Sequence, residues 1–290
     1  MKRILITGAT GNVGEAVIEA LISKDENIEI LAGARKPLPD RKPFNSSQVI
    51  SVLFDFEVIE TVRLALEQTD ILFLLRPPQL ADAKKFFEPV IELAEENEIE
   101  HIVFLSVQGA EENSFIPHHK IEKLISKSSL DFTFLRPAYF MQNFTRSLKK
   151  DLVENDLIYL PAGRAKFTLI DTEDIGKTAA EVILHPENHR NKAYDLTNYE
   201  RLNFSEMAEI LSEELGRNIR YKSPNLLSFF LKKKKENTPT ALILVMIMLH
   251  YLPRFKKTPP TSDWVQKITG QEPRSFAEFM HRNASELRDQ

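Results

Sequence analysis

Glycines 8, 11 and 14 stand three residues apart, between a short apolar run and a stretch with helical periodicity. The chemistry this arrangement suits is holding a phosphate against the backbone. The run Arg3-Ile-Leu-Ile-Thr7 is short and carries β-branched Ile4 and Ile6, so it predicts a buried strand. Val13, Ala16, Val17, Ala20, Leu21 and Ile22 recur as the inner face of a helix. Gly8 lets the chain leave the strand in a conformation that a Cβ would hinder. Gly11 leaves out a side chain where a pyrophosphate must approach, and Gly14 lets the helix pack close to the sheet. The helix N-terminus then offers free N–H groups and the positive end of its dipole. The chain has only nine glycines, so three on one spacing in this context predict dinucleotide binding.

A second group of chemical residues follows the next strand. Ile28 to Ala34 predicts a strand that runs into Arg35-Lys36-Pro37. NAD-selective sites place a carboxylate there for the ribose hydroxyls, whereas NADP-selective sites place a cation for the 2′-phosphate. Here the position holds two cations and no acid, so NADP(H) is favoured over NAD(H). The competing reading of Arg35 and Lys36 is a solvated basic loop tip.

Four further strands are predicted at 49–54, 71–75, 101–106 and 133–137. Asp55 and Phe56 close the first of these, and Phe56 can either stack on an adenine or fill the core. Leu75 and Arg76 close the second, where Arg76 can meet phosphate or substrate. Helical spacing predicts helices over 57–67, 80–97, 117–125 and 138–150, the last carrying Tyr139, Phe140 and Asn143. Short strands at 157–160 and 166–170 follow, with helices from about 171 to 184 and from 275 to 287. The alternation predicts an α/β fold: a Rossmann doubly wound parallel sheet with a small α/β C-terminal substrate lobe. The expected division is 1–155 for the core and 156–290 mostly for the lobe, with about 165–197 returning to the core.

The composition excludes some function classes. Cysteine is absent, which removes disulfides, thiolate catalysis and cysteine-ligated metal and fits a cytoplasmic location. No metal site is expected. A net charge of −4 gives no bulk reason to expect nucleic acid. The longest apolar run, Ala241 to Leu249, is too short for a membrane span. Two C-terminal stretches stand out. Leu226 to Lys235 joins apolar residues to the run Lys232–Lys235, as a solvated loop between two helices or an amphipathic contact with an anionic surface. Leu242 to Leu252 is rich in Leu, Ile and Met, and fills a core or lines an apolar pocket.

Several stretches resemble the NmrA-like branch of the atypical short-chain dehydrogenases/reductases. These are Thr7-Gly-Ala-Thr-Gly-Asn-Val-Gly14, Phe134-Leu-Arg-Pro137, Asp171-Thr-Glu-Asp-Ile-Gly176, Tyr194-Asp-Leu-Thr197, the region Phe204 to Tyr221, and Ile268 to Phe276. One departure is Asn198, where the family more often has glycine. The resemblance implies NADP(H) binding. It also implies either reduction of a quinone-like or azo-type small acceptor by direct hydride transfer, or a non-catalytic redox-sensing role. It places a carbonyl-polarising hydroxyl at Ser106, for which a helix-cap or turn serine is the competing reading. The superfamily's Tyr-x-x-x-Lys pair falls on Ser114 and His118, so neither catalytic residue is in place. A serine hydroxyl is no acid near neutral pH, while His118 can still hydrogen-bond a ribose. Candidate catalytic helpers are Ser106, His118 and Tyr139. The residues expected to border the dinucleotide are Gly8, Thr10, Gly11, Asn12, Val13, Gly14, Arg35, Lys36, Asp55, Phe56, Leu75, Arg76, Ser106, His118, Pro137 and Phe140. The expected partner is a small-molecule substrate, with the chain a monomer or homodimer.

Overall fold

The computed structural model describes residues 1–24 and 27–288. Its elements begin with β1 (Lys2–Thr7), α1 (Asn12–Ile22), β2 (Ile28–Ala34), β3 (Val49–Leu53), α2 (Ile59–Leu66), β4 (Ile71–Leu75), α3 (Ala83–Phe86), α4 (Glu88–Glu96), β5 (His101–Leu105), α5 (Pro117–Ile125) and β6 (Phe132–Pro137). They continue with β7 (Tyr139–Phe140), α6 (Lys149–Asn155), β8 (Leu157–Tyr159), β9 (Phe167–Ile170), α7 (Thr172–Leu184), β10 (Lys192–Leu196) and β11 (Arg201–Leu202). The last are α8 (Phe204–Leu215), β12 (Arg220–Lys222), α9 (Leu226–Lys235), α10 (Thr240–Tyr251), α11 (Trp264–Thr269) and α12 (Phe276–Leu287). Two compact units divide the chain. The first holds Met1–Ala138, Thr172–Leu196 and Asp263–Glu272; the second holds Tyr139–Asp171, Thr197–Ser262 and Pro273–Gln290.

The first unit is a doubly wound α/β sheet in the order β3-β2-β1-β4-β5-β6-β10. Every neighbouring pair is parallel. Parallel strands covered on both faces must be apolar throughout, and Ile4 to Ile6, Ile71 to Leu74 and Ile102 to Phe104 are all buried. Because side chains alternate along a strand, Leu5, Leu72, Leu74, Ile102 and Phe104 share one apolar cluster with α2, α4 and α5. The other face carries α1 and α7, which cross closely. A Cβ at Gly176 of α7 would lie 2.5 Å from the Ala16 carbonyl oxygen of α1.

The second unit pairs β7 with β9 in parallel and β11 with β9 antiparallel, and sets β12 beside β8. Its core gathers Phe144, Phe204, Phe229, Phe276 and Phe279 around α8 and α12. Both helices start at reciprocal capping boxes, Asn203 with Glu206 and Ser275 with Glu278.

Three predicted elements differ. The helix expected over 80–97 is two, α3 and α4, meeting at Phe87. Pro89 has no N–H to continue the first helix, so the second restarts with proline in its first turn. The helix expected over 138–150 is replaced by β7 and a 3-10 turn at Met141–Asn143, with α6 starting only at Lys149. Pairing of Tyr139 and Phe140 with Leu169 and Ile170 overrides the local helical pattern. The stretch 226–235, with the solvated loop as one of its two readings, is helix α9, opened by the Asn225 side chain accepting from the Ser228 amide at 2.8 Å.

The α1–α7 contact generates a stability prediction. Gly176→Ala is expected to destabilise the fold by about 1–3 kcal/mol through overpacking. Chemical denaturation checks this, and an unchanged midpoint would contradict so close a crossing.

Candidate functional site

The strand order reverses between β1 and β4, and ligands of open α/β sheets bind beyond the strand ends at such a point. The glycine turn sits there. Gly8 has φ +63°, which glycine adopts without strain. A Cβ at Gly14 would lie 2.4 Å from the Gly8 carbonyl oxygen and 2.9 Å from Ala9 Cα. Gly14 therefore lets α1 start against the turn itself, not against the sheet as its spacing suggested. Gly11 is the residue before α1, has no side chain to cap it, and is exposed with Thr10 and Asn12. Val13 is buried and anchors the first turn. Among the described residues, nothing accepts from the amides of Asn12, Val13 and Gly14. An exposed, uncapped helix N-terminus of this kind is shaped to take an anion.

Thr7 fixes β4 to this turn: its hydroxyl accepts from the Leu75 amide at 2.8 Å and donates to the Phe73 carbonyl at 3.2 Å. Leu75 backs the turn, with Cδ2 3.1 Å from where a Gly8 Cβ would stand. Arg35 and Lys36 are exposed beyond β2 and enter no ion pair among the described residues. Sequence reasoning missed Arg41, which binds Glu15 of α1 through both terminal nitrogens, Nη2 to Oε2 at 3.0 Å. Nothing in its loop signalled that partner. Asp55 accepts from the Glu57 amide at 3.0 Å and shapes the turn after β3. Phe56 is half-buried, with ring centroids 5.0 Å from both Phe54 and Phe87. It thus belongs at least in part to the core.

Arg76 does not reach out to a phosphate. Its Nη1 donates to the carbonyls of Pro77, Pro78 and Leu80, each at 3.0 Å, and its Nε donates to His118 Nε2 at 3.3 Å. Burial first, and the Arg76 charge second, lower the His118 pKa to about 3. His118 is therefore neutral, and since Nε2 accepts, Nδ1 carries the proton. That N–H has no acceptor among the described residues, so the ring is a fixed donor at the start of α5.

Ser106 is placed at the end of β5 as predicted, but its hydroxyl points to a buried acid. It donates to Glu122 Oε1 at 2.5 Å. Arg136 binds the same carboxylate twice, Nε to Oε1 at 3.0 Å and Nη2 to Oε2 at 2.7 Å, and reaches Glu111 at 3.0 Å. Burial pulls the Arg136 guanidinium down, but the Glu122 and Glu111 carboxylates outweigh it and raise it. Ser106, Glu122 and Arg136 thus form a closed network joining β5, α5 and β6, and the expectation of a hydroxyl free to polarise a carbonyl is corrected. Pro137 is buried at the end of β6, where its carbonyl accepts from Gln108 N at 3.0 Å.

In the second unit, Tyr139 is committed in the same way. His250 Nδ1 donates to the Met246 carbonyl at 2.7 Å, so its Nε2 accepts from the Tyr139 hydroxyl at 3.1 Å. Burial lowers the His250 pKa to about 4 and raises that of Tyr139. Phe167 and Phe204 pack around the pair. Tyr139, a candidate catalytic helper by sequence, has its hydroxyl engaged in a core hydrogen bond. Phe140 is half-buried opposite Ile170. Asn198, the departure from the family pattern, donates to Glu200 at 2.5 Å, and Glu200 accepts from the Phe276 amide at 2.7 Å. The asparagine thereby ties β11 to the start of α12, a task glycine has no side chain to perform.

Comparison with known proteins agrees with this architecture. The sequence model of the NmrA-like family matches residues 1–249. Prestalk A differentiation protein A of Dictyostelium discoideum is 31% identical over 279 residues, which are 95% of this chain and 90% of that protein. NAD(P)H azoreductase of Xenophilus azovorans is 27% identical over 286 residues, covering 97% of this chain and 98% of that one. The crystal structure of an NADPH-dependent quinone oxidoreductase from Escherichia coli, complexed with NADPH, shares the fold with TM-score 0.82 at 21% identity, over 99% of each chain. Among the described residues, no helix is long and apolar enough to cross a membrane. The chain belongs to the NmrA-like family.

Proposed function

We propose that this protein is an NAD(P)H-dependent oxidoreductase that prefers NADP(H) and reduces a quinone-like or azo-type small acceptor. The observation that carries the reading is the exposed, uncapped start of α1 over the glycine turn, where the strand order reverses. The names of two similar proteins, an azoreductase and a quinone oxidoreductase complexed with NADPH, support it.

The residues fit the dinucleotide in named places. The amides of Asn12, Val13 and Gly14 receive the pyrophosphate, with Thr10 and Gly11 beside it. Arg35 and Lys36 face the 2′-phosphate, for which exposed cations with no ion pair among the described residues are suited. Asp55 and Phe56 border the adenine end, and Leu75 and Pro137 wall the site beyond their strands. His118 donates its Nδ1 proton to a ribose hydroxyl, and Arg76 holds the tautomer that allows this. The cofactor supplies a hydride. Reduction of the acceptor then needs one proton, and water is its source, because the hydroxyls of Ser106 and Tyr139 are both engaged.

Those same engaged hydroxyls favour a second reading, a non-catalytic NADP(H)-binding redox sensor. Following nicotinamide absorbance with a panel of quinones and azo compounds, beside a binding titration, separates the two. Turnover on any acceptor supports the reductase; tight binding with no turnover supports the sensor.

Arg35→Ala is expected to weaken NADPH by on the order of tenfold to a hundredfold, the worth of a charged hydrogen bond. NADH should be little affected, and equal losses for both would overturn the NADP(H) preference. Ser106→Ala should cost about 1–3 kcal/mol of stability by leaving Glu122 short of a donor. Turnover per folded molecule should stay within a few-fold. A large loss of turnover at unchanged stability would return Ser106 to a catalytic role.

A further inference from the structure

Helix α10 is apolar on nearly every side, yet among its described residues only Ile243 and His250 are buried. Leu242, Leu244, Val245, Met248 and Leu249 are between 41% and 56% exposed. Helix α9 adds Leu227 and Leu231, one turn apart on one face and 68% and 58% exposed. Exposed apolar side chains gathered on two neighbouring helices mark an interaction site.

The charges around it say what covers it. No acidic residue occurs from Asn237 to Ser262, in a chain whose net charge is −4. Two of the α9 lysines are committed locally. Lys232 binds Asp151 at 2.6 Å, and the buried Lys233 binds Glu236 at 2.7 Å and Asp151 at 3.3 Å. Lys234, Lys235, Arg254, Lys256 and Lys257 are exposed, and none has a carboxylate partner among the described residues. They flank α10 at both ends, with Phe255, 71% exposed, among the last three. A second copy of this chain would bring like charges together across the contact, which disfavours it. An apolar helix edged by cations matches the boundary between lipid headgroups and acyl chains.

We propose that α10 and the outer face of α9 dock on an anionic lipid bilayer surface. The helix lies in the headgroup plane, with its leucines inserted and the five cations on the phosphates and carboxylates of the lipids. This inference does not depend on the proposed reductase activity.

Co-sedimentation of the full chain with two kinds of vesicle tests it: phosphatidylcholine alone, and phosphatidylcholine mixed with phosphatidylserine. Binding is expected only to the mixed vesicles and should fall as salt is raised. Replacing Lys256 and Lys257 by glutamine should lower partitioning by on the order of tenfold or more. Replacing Leu244 and Leu249 by serine should abolish it with an unchanged unfolding midpoint, since both are exposed. Binding to neither vesicle, or equal binding to both, would overturn the proposal. So would a dimer, seen by sedimentation velocity, that the serine variant dissolves without any vesicle binding.

Discussion

The start of α1 lies so close to the glycine turn that no side chain fits between them. A Cβ at Gly14 would stand 2.4 Å from the Gly8 carbonyl oxygen. Much of the first unit follows from this approach. It fixes where α1 leaves the sheet, and so brings Ala16 under Gly176 of α7, another contact with no room for a methyl group. It also aims the first-turn amides of α1 outward at the point where the strand order reverses. Interiors packed to this density have few alternatives, which is why a three-residue spacing of glycines determines so much.

Beyond the turn, the chemistry of the chain is governed by which polar groups are already satisfied. Each polar side chain that looked catalytic proves to have a partner. Ser106 donates a hydrogen bond to Glu122, Arg76 makes four hydrogen bonds to its own loop and His118, and Tyr139 is held by His250. Buried donors and acceptors must be paired, and here the partners are Glu122, His250 and, for Arg76, its own loop and His118. Among the described residues, the Nδ1 N–H of His118, the exposed cations Arg35 and Lys36, and the first-turn amides of α1 are left without such partners.

The legible parts of the sequence were those with local causes. The parallel strands show as apolar runs because both faces are covered, and α12 shows through its helical spacing over 275–287. What local pattern could not reveal was pairing at a distance. Tyr139 and Phe140 read as helix because their partners, Leu169 and Ile170, lie some thirty residues away, a separation that no window of helical periodicity spans. Glu122 carries no local signal of the Arg136 and Ser106 side chains that converge on it. Lys233 looked solvated until Asp151 appeared beneath it. The glycine turn needed no distant partner, and its position and the positive φ at Gly8 were readable, though not what Gly14 packs against.

The claim on which the account turns is that the backbone around Gly11 receives a dinucleotide. Gly11 has an ordinary φ of −87°, and a Cβ there would meet only the Gly8 oxygen at 3.3 Å, so Gly11→Val should fold as the parent does. The deciding measurement is a calorimetric titration of NADPH into both proteins, beside their unfolding midpoints. The account predicts one-to-one binding to the parent, lost in Gly11→Val with stability retained. Undiminished binding by the variant would contradict it.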